Sequence, residues 1–189
     1  EMVSLNYCET LSAAAGWSME EAKAQTIEAG NYILIYEGAV LEGWNGEALR
    51  VANEPGTDHL VHAAENANAV VALGSCAVNG GWMGANPNSA GALGVQQYLK
   101  KQGIDTPVIN IPGCPPHPDW MVGTLALLLD AMKRKGTEGG VLEIMRGLDD
   151  VGRPKVFYPN THLTCPYLSS FEDGIFSPFM TDKKGCRFE

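Results

Sequence analysis

Residues 107–129 read PVINIPGCPPHPDWMVGTLALLL. The run Val108, Ile109 and Ile111 predicts a buried strand, broken at Pro112-Gly113. A single thiol, Cys114, follows on a turn stiffened by Pro115, Pro116 and Pro118, and a strongly apolar helix comes after it. Three prolines within four positions leave the backbone little freedom. Such a turn suits a side chain that must keep one direction, so Cys114 is read as a metal ligand.

The same grammar recurs upstream. Ala69–Leu73 (AVVAL) is a second apolar run, and it enters Gly74-Ser75-Cys76-Ala77-Val78-Asn79-Gly80-Gly81, again a cysteine just past a strand. Asn31–Tyr36 (NYILIY) is a third, ending at Glu37-Gly38, and its near-continuous apolarity predicts a parallel strand covered on both faces. Between these runs lie predicted helices. One opens on a capping box, Ser18 with Glu21, and ends at Gly30. Others are expected over Thr57–Asn68, over Ala90–Gln102 closed by Gly103, and from about Asp119 to Arg134, with a short helix over Gly139–Met145. Val3–Leu5 is expected to be a short strand, and residues 41–56 a loop. The alternation of strand and helix implies an α/β fold with a parallel, doubly wound sheet. Asp149-Asp150, Gly152 and Pro154 mark a boundary, giving expected domains at 1–150 and 151–189. The second segment is aromatic, proline-rich and weakly periodic, so it is expected to pack onto the first or onto a partner.

Parallel strands bring their carboxyl ends to one edge, and α/β proteins bind ligands in the crevice there. Cys76 and Cys114 are therefore expected to face one cavity. Two thiolates complete neither a tetrahedral zinc site nor an iron–sulfur cluster, which usually take four ligands. The other pair is expected from a further strand-end loop, the natural candidate being one before residue 1. Glu37 lies at the same edge, where a functional role and a plain surface or capping role weigh equally. His162-x-x-Cys165 has a spacing that binds one metal or cluster from a single loop, against packing roles for both; Cys186 stands further on. His59 and His62, at i and i+3, have a spacing that permits a shared metal, but ordinary boundary residues are the commoner outcome.

With 45% hydrophobic and 19% charged residues among 189, the chain has the composition of a globular protein with a real core. A net charge of −9 argues against nucleic acid. No run approaches the ~18 apolar residues that span a bilayer. Five dispersed cysteines, Cys8 among them, form no CxxC pair and make a poor disulfide framework. The opening at Glu1 and the stop at Glu189 read as a processed or incomplete chain.

Taken together, Gly74-Ser75-Cys76-Ala77 with Gly80-Gly81, Pro112-Gly113-Cys114-Pro115-Pro116-His117-Pro118-Asp119-Trp120, and His162-x-x-Cys165-Pro166 resemble the small subunit of nickel–iron hydrogenases. The likeness extends to Tyr7–Gly16, Tyr36-Glu37-Gly38-Ala39, Pro87-Asn88 and Gly152-Arg153-Pro154, in the family's order. The resemblance implies a flavodoxin-like domain carrying a proximal 4Fe–4S cluster, then a partial, irregular, cysteine-containing iron–sulfur domain. Cys76 and Cys114 match the last two proximal ligands; the first two, a Cys-x-x-Cys, would precede Glu1. His162, Cys165 and Cys186 match three ligands of a distal 4Fe–4S cluster. The fourth, and those of a medial 3Fe–4S or 4Fe–4S cluster, would follow Glu189. Cys8 matches a non-ligand position. The family's chemistry would reside in a nickel–iron centre held by a separate large subunit, so no residue here is expected to be catalytic. Glu37 matches an acidic residue proposed for proton movement.

The implied role is electron transfer within a heterodimer, between the large subunit and an external acceptor such as a cytochrome. Gly80–Gly84, Trp82 and Trp120 are candidate partner surface, with simple core positions as the other reading of the tryptophans. The periplasm is the implied location, with membrane association only through partners or segments outside this chain. Two alternatives compete: the related cluster-bearing subunit of NADH–quinone oxidoreductase or of energy-converting hydrogenases, and a non-enzymatic flavodoxin-like module. Relatives of the first kind generally lack a His-x-x-Cys segment, so residues 155–189 discriminate.

Overall fold

Three parallel strands carry the architecture: β1 (Ile33–Glu37), β5 (Ala69–Leu73) and β7 (Val108–Ile111), hydrogen-bonded in the order β1-β5-β7. The computed structural model describes residues 3–159, 165–177, 179 and 185–186. It divides into two compact units, Glu1–Pro154 and Lys155–Glu189.

The α/β class and parallel sheet expected from the sequence are present. The central strand is the most apolar: Ala69, Val70, Val71 and Ala72 are wholly buried, as are Ile109 and Ile111 on β7. Each such Val or Ile contributes roughly 1.5–3 kcal/mol through burial. Val70, Ala72 and Val108 pack with Leu60 and Ala64 of α2 (Gly56–Glu65), Ala77 of α3 (Gly74–Asn79), and Val95, Tyr98 and Leu99 of α4 (Val95–Gln102). β1 departs from expectation. It is the end strand of the sheet and Ile35 is 43% exposed, so it is not covered on both faces.

Local chemistry moved several element boundaries. Val3–Leu5 is not a strand; Val3 and Leu5 are exposed, and an extended segment with no ladder partner gains nothing from being one. The first helix, α1 (Trp17–Ala29), has Gly16 as its N-cap, two residues before the predicted cap Ser18. Ser18 is thereby inside the first turn, where its hydroxyl donates to the Ala15 carbonyl (2.9 Å), and the capping box does not form. The 41–56 segment holds three two-residue strands. β2 (Val40–Leu41) starts just before it and pairs antiparallel with β6 (Ala92–Leu93); β3 (Arg50–Val51) and β4 (Glu54–Pro55) form a hairpin. Its turn, Ala52-Asn53, has φ of 48° and 69°, a two-residue left-handed turn suited to hairpin twist. β6 also takes the residues predicted to begin α4, which starts at Val95.

The long helix α5 (Pro118–Arg146) is broken at Gly136, whose φ of 75° and ψ of 170° are not helical. Across that break Arg134 (2.9 Å) and Lys135 (2.6 Å) both bind Glu143, and Arg134 also binds Asp130 on its own side (2.8 Å). The hydrogen bonds from Arg134 and Lys135 hold the Glu143 carboxyl down at about 2. A carboxyl lowered in this way stabilises the fold fully above its ordinary pKa of ~4.3, and the contribution disappears as pH falls towards 2. An acid titration should therefore loosen this helical corner between those limits, read as faster amide exchange over 134–146; Glu143→Gln should flatten that window.

The second unit contains α6 (Leu168–Glu172) and a parallel bridge between Phe176 and Cys186.

Candidate functional site

Ladder register decides the geometry of the candidate metal centre. β5 and β7 pair through Leu73↔Ile111, the last residues of both strands. Cys76 and Cys114 each lie three residues beyond that pair, on neighbouring chains leaving one sheet edge. Adjacent strands run about 4.8 Å apart, and hydrogen bonds hold these chains together past the ladder. The Ser75 N–H donates to the Gly113 carbonyl (2.8 Å), and the Gly113 N–H donates to the Ser75 hydroxyl (3.1 Å). Each cysteine is thus covalently next to one member of a bonded pair.

The surroundings of the two thiols differ. Cys76 is in α3, a helix no expectation from the sequence includes; six residues with a left-handed Gly80 cap are too short to show a period. Behind its sulfur the chain folds back through Gly81. A Cβ built on Gly81 would lie 2.6 Å from Cys76 Sγ, and its φ of +58° already favours glycine. The Gly81 N–H donates to Asn79 Oδ1 (3.0 Å), which fixes this return. Cys114 is exposed, on the turn between Gly113 and α5; His117 caps that helix by accepting from the Asp119 N–H (3.2 Å). All five cysteines are free thiols.

Glu37 ends β1 opposite Leu73, at this same edge, and is exposed. Trp82, in the short 3-10 turn Gly81–Gly84 after Cys76, is 80% exposed, which excludes the core reading for it; Trp120 is half-buried at the start of α5.

His162 lies outside the described residues. Cys165 starts a turn, its carbonyl accepting from the Leu168 N–H (3.2 Å), and Cys186 is buried beside the Phe176 bridge. His59 is engaged structurally: its Nε2 bonds the Val51 carbonyl (2.9 Å) and its Nδ1 meets Lys23 Nζ (3.2 Å), while His62 is exposed. Among the described residues no group of three His, Cys, Asp or Glu side chains is arranged to hold a metal ion. Cys8 is elsewhere, and a hydrogen bond from the Thr10 hydroxyl helps hold its thiol below the ordinary cysteine range.

Sequence and structure comparisons match the chain to known proteins. The family described as NADH ubiquinone oxidoreductase, 20 Kd subunit, matches residues 1–128. The Hydrogenase-2 small chain of Escherichia coli K12 is 37% identical over 186 residues, covering 97% of this chain and 46% of that protein. The periplasmic [NiFe] hydrogenase small subunit of Solidesulfovibrio fructosivorans is 37% identical over 195 residues, covering 100% of this chain and 57% of its own. The solved [NiFeSe] hydrogenase from Desulfovibrio vulgaris Hildenborough superposes with a TM-score of 0.90 at 41% identity, over 98% of this chain and 69% of that one. The chain belongs to the nickel–iron hydrogenase small-subunit family.

Coverage separates the hydrogenase small subunits from the broader family. The 20 Kd subunit match ends at residue 128, whereas the hydrogenase small subunits align through the second unit as well. The alternatives, a respiratory-type subunit or a non-enzymatic module, are not favoured by these matches. The chain spans about half the length of the curated hydrogenase small subunits it matches.

Sequence reasoning had named the two cysteines but not the residues that hold them. Ser75 and Asn79 look like unremarkable polar residues in a glycine-rich run. Only the fold shows what each one binds.

Proposed function

We propose that this chain is the electron-transfer part of a hydrogenase, in which Cys76 and Cys114 supply two of the thiolates that hold a proximal 4Fe–4S cluster. The single observation that supports this reading is the bonded pair Ser75–Gly113, which joins the two segments that carry Cys76 and Cys114 beyond neighbouring strand ends of a parallel sheet. The donor set fits: iron–sulfur clusters take cysteine thiolates, and two exposed or half-exposed free thiols, one on α3 and one on the turn bonded to it, form half of such a set. When bound, a cluster supplies one-electron redox capacity.

The chain's own residues do the rest. The prolines after Cys114 hold its direction, and Gly81 leaves room for the Cys76 sulfur. Thiolate ligation also requires both cysteines to release their protons, so assembly weakens as pH falls. In the second unit, His162, Cys165 and Cys186 are proposed ligands of a distal 4Fe–4S cluster, replacing one thiolate by a neutral imidazole. A medial 3Fe–4S or 4Fe–4S cluster is proposed for the whole protein, with segment 151–189 as the start of the domain that carries these groups. Glu37, exposed at the same edge, is a proposed proton-path residue.

The partner is a large subunit bearing the nickel–iron centre where hydrogen is oxidised or protons are reduced. The exposed Trp82 beside Cys76 is proposed as part of the surface it covers. A cytochrome is the proposed external acceptor, and the periplasm the proposed location. Among the described residues no helix is long and apolar enough to cross a membrane.

The test is the full-length chain co-expressed with its large subunit. Iron, acid-labile sulfide and hydrogen-dependent dye reduction should all be present. A stable, iron-free heterodimer, or one that reduces the dye without iron in this subunit, would contradict the proposal.

A further inference from the structure

We infer that the Ser75 hydroxyl is a positioning group that fixes the Cys114 turn against α3 and thereby controls how firmly the two cysteines hold their cluster. The inference rests on the reading of Cys76 and Cys114 as ligands and adds to it a residue that is not itself one.

Regular pairing of β5 and β7 ends at Leu73↔Ile111. Beyond it one chain winds into α3 and the other enters Pro112-Gly113-Cys114-Pro115-Pro116. Proline has no N–H, so across those five residues only Gly113 and Cys114 carry backbone donors. Gly113 has no side chain through which packing might hold it. Its N–H is committed to Ser75 Oγ at 3.1 Å, in partly buried surroundings.

The two bonds joining the turns are not equivalent. The Ser75 N–H to Gly113 carbonyl bond (2.8 Å) is made by backbone atoms, and any non-proline residue at 75 would preserve it. The return bond needs a side-chain acceptor one carbon beyond Cα. No backbone carbonyl on α3 replaces it easily, because carbonyls in a helix point along the axis towards later N–H groups. The Gly80 N–H takes the Cys76 carbonyl in that way (2.9 Å). With an apolar residue at 75 the Ser75 side-chain bond would be lost and only the backbone bond would tie the turn to α3, so the loop bearing Cys114 would swing about it.

The test uses the full-length small subunit assembled with its large subunit, in three variants: Ser75→Ala, Ser75→Thr, and the ligand control Cys114→Ser. In Ser75→Ala, iron release to a strong chelator should accelerate about tenfold or more, the range seen when groups supporting metal ligands are removed. The proximal cluster's paramagnetic resonance line should broaden, and amide exchange in a peptide spanning Gly113 should quicken. Threonine retains a hydroxyl at the same reach, so Ser75→Thr should restore wild-type values on all three.

Three results would overturn the inference: Ser75→Ala releasing iron at the wild-type rate; faster Gly113 exchange without faster iron release; or Ser75→Thr as labile as Ser75→Ala. Loss of the cluster in Cys114→Ser alongside any of these would leave the ligand reading standing while removing the role of Ser75. An intact cluster in Cys114→Ser would instead remove the ligand reading itself.

Discussion

Hydrogen-driven reduction of an external acceptor should fall by on the order of a hundredfold or more in Cys114→Ser, in the full-length chain assembled with its large subunit. Groups that merely support a ligand cost ~10–100-fold on removal, and Cys114 is read as a ligand. Serine keeps the size of the side chain, and Cys114 is exposed on a turn stiffened by prolines, so little folding energy is at stake. The effect should therefore be selective. Hydrogen–deuterium exchange at the large subunit, which needs no electron exit, should persist while dye reduction fails. Loss of both activities together with dissociation of the heterodimer would point to a structural role for Cys114.

A comparable loss is expected for Gly81→Ala, from a residue with no chemistry of its own. Its new methyl would sit 2.6 Å from Cys76 Sγ and 3.1 Å from Cys76 Cα, closer than real Cβ contacts, and its φ of +58° adds about 1–2 kcal/mol of left-handed strain. The relief available is rotation of the thiol out of its place, since Gly81 is tied by its N–H to Asn79. Iron content and dye reduction should both drop by about 10–100-fold. Gly103→Ala is the matched control. It has a similar φ of +75° but meets nothing within 4 Å, so it carries the strain without the clash. If the two variants lose iron alike, backbone strain and not crowding of Cys76 is responsible.

The parts of this molecule legible in its sequence are those written in side-chain pattern. Val70, Val71, Ile109 and Ile111 sit in short apolar runs, and such runs between glycine and proline punctuation identify strands without help from distant residues. Equal offsets of Cys76 and Cys114 from their strand ends were likewise visible, and they carried the inference that the two thiols share an edge. The capping box failed for the opposite reason. Ser18 and Glu21 have the right spacing, but the helix is capped two residues earlier, at Gly16, and local sequence does not fix that frame. The hairpin at Ala52-Asn53 was missed because an alanine with φ of 48° is a poor advertisement for a turn. The Asn31–Tyr36 run was read as doubly covered because apolarity reports burial without saying how many neighbours a strand has.

The polar supports were least legible of all. Ser75 acts on Gly113, and Asn110 on β7 donates through Nδ2 to the Val151 carbonyl (2.8 Å) and to Gln96 (3.1 Å). Partners 38 and 41 positions apart leave no periodic trace. Burial alone would raise the Asp149 carboxyl in that same boundary turn. The Arg153 and Val151 N–H groups and the Arg153 guanidinium hold it below the usual carboxylate range instead.

Central to the account is that Cys76 and Cys114 serve one cluster. Redox-poised paramagnetic resonance of the full-length heterodimer tests this most directly, comparing Cys76→Ser, Cys114→Ser and the double variant with the unmodified protein. The account predicts that each single variant loses or alters the same signal, with no further signal affected in the double variant. Two different signals lost, or one signal unchanged in either single variant, would contradict it.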